Sequence, residues 1–254
     1  MLAVVTGASR GIGRAYGRQL ASRGFDLQIV GRDAEQLAAV AAEIRAAHQV
    51  RVEEIVLDLA RPDSAERLYA EVRSRRTRPV DLLVNNAGFG LYGGFADAAM
   101  PRIQEMLYLQ ILTVTKLMRL FLPEMRERRS GAIINVASVA GLMPVPYMSL
   151  YGATKAFMVS LGLSVGREVR ADGVIIQTCC PGQTVTDFHA TAGHRPASLG
   201  GAQTADAVAA ESLAALDRRK AFVITGSRNR FLMRLQKLVP QQFLLWAAGR
   251  HLKA

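Results

Sequence analysis

The chain has 254 residues, half of them hydrophobic, a formal net charge of +11 and only two cysteines. That length and apolar content suffice for one large core and do not require a second domain. The two cysteines are the adjacent pair Cys179 and Cys180, which offers neither a disulfide framework nor a metal-ligand spacing and suits a reducing compartment.

The positive charge raises the question of nucleic acid. The basic clusters 73-RSRRTR-78, 126-RERR-129 and 218-RRK-220 fall at predicted helix ends, where cations complement the helix dipole. No aromatic stacking platform or DNA-binding module accompanies them, so no nucleic-acid partner is expected. Met1 leads into an apolar strand and a glycine-rich turn, which is no secretory signal. Residues 130–154 carry no charge but are broken by Ser, Asn, Gly and Pro, so they do not read as a membrane span. A cytoplasmic protein is expected.

Along the chain, short apolar runs alternate with helical patterns. The strand-like runs are 2-LAVVT-6, 25-FDLQIV-30, 52-VEEIVL-57, 80-VDLLVN-85, 132-AIINVA-137, 174-VIIQTC-179 and 221-AFVIT-225. Asp33 with Gln36 three residues on predicts a helix start, and Leu37, Val40, Ala41 and Ile44 give that helix an apolar face. Long helices are predicted over about 101–128 and 150–170, and Thr204 reads as the N-cap of 205–219. Seven strands alternating with helices imply the α/β class: a single Rossmann domain over 1–226, its doubly wound, seven-stranded parallel sheet covered by helices on both faces. The segment 183–203 reads as a mobile loop. Residues 227–254 read as a C-terminal amphipathic helical extension of the same domain.

The first strand feeds 6-TGASRGIG-13. Glycines at 7, 11 and 13 permit a tight turn and close approach of a ligand to the backbone, and the helix that follows presents free N–H groups to a pyrophosphate. Gly7, Ser9, Arg10, Gly11, Ile12 and Gly13 are therefore cofactor-binding candidates. At the end of the second strand, 30-VGRD-33 puts Gly31 where an NAD site usually has an acid, followed by Arg32. Arg10 and Arg32 together suit a 2′-phosphate, which favours NADP(H). Asp33 reads as the helix cap but could hydrogen-bond a ribose, so NAD(H) stays as the less favoured alternative.

In 149-SLYGATKAF-157, Tyr151 and Lys155 sit four residues apart on one helix face, with only small residues between them.

The glycine turn, 85-NNAG-88, Ser138 in 135-NVASVAG-141, the Tyr151/Lys155 pair and 181-PGQTVT-186 occur in this order. The set resembles the short-chain dehydrogenase/reductase family over roughly residues 1–226. The resemblance implies that Tyr151 is the general acid/base and that Lys155, with the oxidised nicotinamide, favours its tyrosinate. A tyrosine brought from about 10 to near neutrality needs roughly 4 kcal/mol of differential stabilisation. It implies that Ser138 donates to the substrate oxygen and that Lys155 also holds the ribose hydroxyls. Asp58 and Leu59, in 57-LDL-59, would meet the adenine. Asn86, Ala87 and Gly88 would line the cofactor path, Pro181 and Gly182 would shape the nicotinamide pocket, and Thr184 and Thr186 would meet the carboxamide or phosphates. One position departs: the family commonly has Asn where this chain has Gln110, the residue that helps hold a water in a relay from the lysine.

The expected activity is hydride transfer between a nicotinamide and a carbonyl or secondary alcohol, by a homodimer or homotetramer with contacts through helices 101–128 and 150–170. No metal is implied. Leu91, Tyr92, Phe95, Met143, Val145, Tyr147, Phe188 and His189 are expected around an apolar (lipid-, acyl- or steroid-like) substrate, with loop 183–203 setting its size. The competing class is a nucleotide-binding regulatory module that keeps the fold and has lost turnover. In the tail, Phe231, Leu232, Leu235, Leu238 and Val239 make one helical face and Arg230, Arg234 and Lys237 another. Pro240 suits the start of a second helix carrying Phe243, Leu244 and Trp246. This pattern fits packing over the substrate site or a subunit contact, with a peripheral membrane contact as the less favoured alternative.

Overall fold

Each of the seven apolar runs forms a strand. The computed structural model, which describes residues 1–186, 188 and 201–252, contains in chain order β1 (Leu2–Thr6), α1 (Gly11–Ser22), β2 (Asp26–Gly31), α2 (Ala34–Ala47), β3 (Val52–Val56), α3 (Ser64–Arg75) and β4 (Leu82–Asn85). These are followed by α4 (Met100–Leu107), α5 (Val114–Glu127), β5 (Ala132–Val136), α6 (Ser149–Glu168) and β6 (Ile175–Cys180). The chain continues through β7 (Thr184–Val185), β8 (Gln203–Thr204), α7 (Ala205–Asp217), β9 (Phe222–Ile224), α8 (Ser227–Leu235) and α9 (Gln241–Leu252). Seven strands make one parallel sheet in the order β3-β2-β1-β4-β5-β6-β9, and β7 and β8 pair separately.

The strands are apolar nearly throughout because both faces are covered. Alternate residues serve opposite layers. Ala3 and Val5 face α1, α2 and α7 through Tyr16, Leu37 and Leu213, whereas Leu2 and Val4 face α3, α5 and α6 through Leu68, Phe121 and Met158. The expected caps form: the Asp33 carboxylate accepts from the Gln36 N–H at 3.0 Å, and the Thr204 hydroxyl accepts from the Ala207 N–H at 3.1 Å.

The helix expected over 101–128 is α4 and α5 joined by a π-helical turn, Tyr108–Thr113, with Gln110 buried inside it. This stretch, Met100–Glu127, is long and apolar enough by length and composition to cross a membrane. Met106, Leu117, Phe121 and Met125 nevertheless point inward and are buried, which is the pattern of a core helix.

β1 pairs with β2 on one side and β4 on the other. The chain therefore leaves β1 and β4 in opposite directions, and a crevice opens at their carboxyl ends. Every motif singled out in the sequence lies along that end of the sheet.

Candidate active site

Thr6 closes β1, and its hydroxyl organises the turn. It donates to the Val84 carbonyl at 3.1 Å and accepts from the N–H groups of Asn86 and Ala87 at 2.9 and 3.1 Å. The Asn86 amide donates in turn to the carbonyls of Thr6 and Gly7 at 2.9 and 3.1 Å. The NNAG segment thus fixes the shape of the glycine turn. Gly7 takes φ +65°, and a Cβ at Gly13 would lie 2.1 Å from the Gly7 carbonyl oxygen, so neither position tolerates a side chain.

The turn delivers α1 to the crevice with its N-terminus uncapped. Arg10 at the N-cap makes no side-chain cap bond, and the first turn holds no acid, in contrast to α2 and α7. Free N–H groups and a positive dipole end facing a cleft suit a phosphate. This fits the nucleotide that the motifs imply. Thr186 completes that region: a Cβ at Gly11 would sit 3.1 Å from its methyl group, so Thr186 lies at the glycine turn. The Thr184 hydroxyl donates to the Gly182 carbonyl at 3.0 Å.

The cleft has a volume of about 480 Å³, within the range of small-molecule sites. Every cofactor and catalytic candidate except Gly13 and Gln110 lines it. Gly13 packs behind the turn. Arg10 and Arg32 are exposed at the end where a Cβ on Gly31 would come 3.5 Å from the Ser9 Cβ. Asp33 is engaged as the cap of α2. The Asp58 carboxylate accepts from the Ala60 N–H and from Arg61 Nε, each at 3.0 Å.

At the other end, Ser138 leaves β5 and caps a short 3₁₀ turn, its hydroxyl accepting from the Ala140 N–H at 3.1 Å. That turn is pinned on two sides. Val139 N–H donates to the Pro181 carbonyl at 2.9 Å, and a Cβ at Gly141 would meet the Lys155 backbone at 2.6 Å. Ser138 is thereby held against α6, within hydrogen-bonding reach of Tyr151.

Tyr151 is 7% and Lys155 4% exposed. The Lys155 ammonium donates to the Val136 carbonyl at 2.8 Å and lies 5.6 Å from the Tyr151 ring centroid. Burial pushes the Tyr151 hydroxyl up to about 12, against the lowering effect of the Ser138 hydrogen bond. Burial also brings Lys155 down to about 8. The sequence led to the expectation of a tyrosine shifted toward neutrality. In the protein alone the shift runs the other way, because burial of the hydroxyl outweighs the Ser138 hydrogen bond.

Gln110 does not reach the cleft surface. Its amide Nε2 donates to the Phe89 carbonyl at 3.1 Å, while its Oε1 is buried without a protein partner and stands 3.1 Å from where a Gly88 Cβ would be. It therefore braces the segment that lines the cofactor path.

The apolar wall differs from expectation. Of the expected pocket residues only Phe188 lines the cleft, its ring 5.3 Å from that of Tyr151. Met143 and Val145 line a second cavity of about 600 Å³, outside α6 and against Leu245 of α9. Leu91, Tyr92, Phe95 and Tyr147 line neither cavity, and His189 lies outside the described residues. Tyr147 instead adopts φ +61° and offers its carbonyl to the Gly93 N–H at 2.9 Å. The wall is supplied by Phe89, Leu109, Met148 and the ion pair Arg102–Glu105, with Arg102 stacked 4.4 Å over the Phe89 ring. Phe89 directly follows the NNAG motif, a signal that could have found it. No group of metal-ligating side chains occurs among the described residues.

Comparison with known proteins agrees with this geometry. The family model for short chain dehydrogenase matches residues 1–197. The chain is 36% identical over 184 residues to the very-long-chain 3-oxoacyl-CoA reductase of Anas platyrhynchos, covering 70% of this chain and 58% of that protein. It thus spans little more than half the length of that relative. Among solved structures, a short-chain dehydrogenase from Sphingobium yanoikuyae in complex with NADPH superposes with a TM-score of 0.83 at 32% identity, covering 94% of each chain. A short chain dehydrogenase/reductase from Burkholderia phymatum in complex with NAD gives a TM-score of 0.83 at 27% identity, covering 93% of this chain and 92% of that one.

Proposed function

The chain belongs to the short-chain dehydrogenase family, whose members are oxidoreductases acting on nicotinamide nucleotides, and we propose that it is an NADP(H)-dependent enzyme interconverting a carbonyl and a secondary alcohol on an apolar, acyl-like substrate. The observation that carries this reading is the convergence of Ser138, Tyr151 and Lys155 at one end of a cleft whose other end is an uncapped helix N-terminus flanked by Arg10 and Arg32.

The bound nicotinamide supplies or accepts the hydride. The rest falls to the chain. Gly7, Gly11 and Ile12 present backbone N–H groups to the pyrophosphate, and Arg10 and Arg32 pair with the 2′-phosphate. Asp58, Leu59 and the Asn86–Gly88 strip bind the adenosine side, with Pro181, Gly182, Thr184 and Thr186 around the nicotinamide and phosphates. Ser138 donates to the substrate carbonyl oxygen and fixes its position. Tyr151, protonated across the neutral range, donates its proton to that oxygen as negative charge develops there. That donation leaves a tyrosinate, which the Lys155 ammonium stabilises; in the reverse direction this tyrosinate accepts the proton of the alcohol.

The very-long-chain 3-oxoacyl-CoA reductases among the relatives, together with the apolar wall of Leu109, Met148 and Phe188, point to a 3-oxoacyl thioester or a similar ketone on a long chain. The protein is read as cytoplasmic and as a homodimer or homotetramer joined through α4–α5 and α6, with residues 227–254 an extension of the Rossmann domain. Tyr151→Phe separates the enzyme from a nucleotide-binding regulatory module. The enzyme reading expects the variant to bind NADPH as the wild type does and to lose reduction of a 3-ketoacyl thioester by roughly 10²–10⁴-fold. Equal, near-zero turnover in both proteins with NADPH bound would instead favour the module.

A further inference from the structure

The last two helices and the short turn between them leave apolar side chains in water. Phe231 is 65%, Leu238 81% and Trp246 59% exposed, and Leu232, Leu235 and Phe243 are exposed beside them. A surface patch of this kind marks an interaction site. Its charge is one-sided: residues 227–254 contain Arg228, Arg230, Arg234, Lys237, Arg250 and Lys253 and no Asp or Glu.

The segment is also tethered to the site. Glu211 of α7 accepts from the Gly226 N–H, from Arg230 and from Gln203. Asn229 packs against Gly182. Leu245 walls the second cavity, and Gly249 lies against Pro146 in the loop that follows Ser138.

We propose that the exposed apolar face of α8 and α9 docks on an anionic phospholipid bilayer. Basic residues beside exposed Phe, Leu and Trp are the pattern by which a helix lies in the headgroup layer. Trp246 adds an interfacial anchor, its ring 5.8 Å from Phe243 with Arg250 stacked 5.6 Å from its centroid. A second copy of the chain fits less well. A two-fold contact would set this segment against itself, bringing like charges such as Arg234 and Arg250 together. Docking brings the loop 141–146 and the second cavity beside α6 close to the layer in which an apolar substrate partitions. The binding itself does not depend on the catalytic reading.

Trp246 is the single tryptophan of the chain, so its emission reports the contact directly. The intact protein is mixed with phosphatidylcholine vesicles and, separately, with phosphatidylcholine–phosphatidylglycerol vesicles, and emission and co-sedimentation are followed as salt is raised. The proposal expects a blue shift and pelleting with the anionic vesicles, both fading with salt. It expects at least a roughly fivefold weakening in Arg234→Glu. It also expects loss of pelleting in Phe231→Ser/Leu238→Ser/Phe243→Ser at an unchanged circular dichroism spectrum. Should the triple variant misfold, the Arg234→Glu and salt series still decide. Absence of a shift and of pelleting with anionic vesicles overturns the proposal. So does lipid-independent self-association, measured by sedimentation velocity, that Phe231→Ser/Leu238→Ser/Phe243→Ser dissolves without any vesicle binding by the wild type.

Discussion

The Lys155 ammonium donates to the Val136 carbonyl at 2.8 Å, fastening the lysine of α6 to the strand end that leads into Ser138. Holding a cation there has a cost, since burial brings it down to about 8 from 10.5. Between those values the native state binds fewer protons than the unfolded chain, so stability from this group rises with pH across that window and is lowest below about 8. Lys155→Met strands the Val136 carbonyl at every pH, but its stability relative to the wild type is expected to be most favourable below pH 8 and to decline by up to about 3 kcal/mol toward pH 10.5, with loss of activity. Calorimetric melting across pH checks this; equal melting at every pH would contradict it.

On the proposed NADP(H) reading, cofactor choice rests on three positions. Arg10 and Arg32 are exposed, so each contact with a 2′-phosphate is worth only about 1 kcal/mol, or roughly fivefold. Arg10→Ala/Arg32→Ala is expected to weaken NADPH binding by about 10–30-fold on that scale and leave NADH binding unchanged. Gly31→Asp is expected to reverse the preference by placing a carboxylate beside the 2′ position, at some loss of stability from contact with Ser9 and Leu37. Paired titrations with the two nucleotides measure both effects.

The strand set and the site motifs were legible because they are local. Apolar runs marked the seven strands, side-chain caps marked α2 and α7, and the glycine turn and Tyr151/Lys155 spacing carried their own geometry. The apolar wall was not legible. Met143 and Val145 lie near Ser138 in sequence but face the second cavity, while Arg102, Glu105 and Leu109 reach the cleft only because α4 folds over Phe89. Loop residues have no periodicity from which to read a facing side. The burial that raises the Tyr151 hydroxyl in the protein alone is likewise not encoded in residue spacing.

Gln110 braces the cofactor path through the Phe89 carbonyl. Gln110→Leu strands that carbonyl and is expected to cost about 1–3 kcal/mol of stability and to raise the KM for cofactor. Gln110→Asn keeps the amide and is expected to retain more of both. Denaturant titration together with cofactor KM distinguishes the two variants; identical behaviour would mean that the amide is not what matters.

Glu211 ties β8 and α8 to α7. Burial raises its carboxyl, but hydrogen bonds and charge from Arg230, Gly226 and Gln203 outweigh this and leave it below the usual carboxylate value. The stabilisation is present above 4.5 and is lost as pH falls through the lowered native value. Glu211→Ala is expected to lower stability at neutral pH by about 1–2 kcal/mol and to remove this share of the acid sensitivity. Melting near neutrality and in acid reports both.

The proposed chemistry is hydride transfer to a carbonyl carbon. Mixing the protein with NADPH deuterated at the nicotinamide C4 and a long-chain 3-ketoacyl thioester tests it most directly, with mass spectrometry of the product. One face of the cofactor is expected to lose its deuterium to the carbinol carbon of a 3-hydroxyacyl product. Binding of both compounds with no deuterium in the product, from either face and across a panel of apolar ketones, would contradict it.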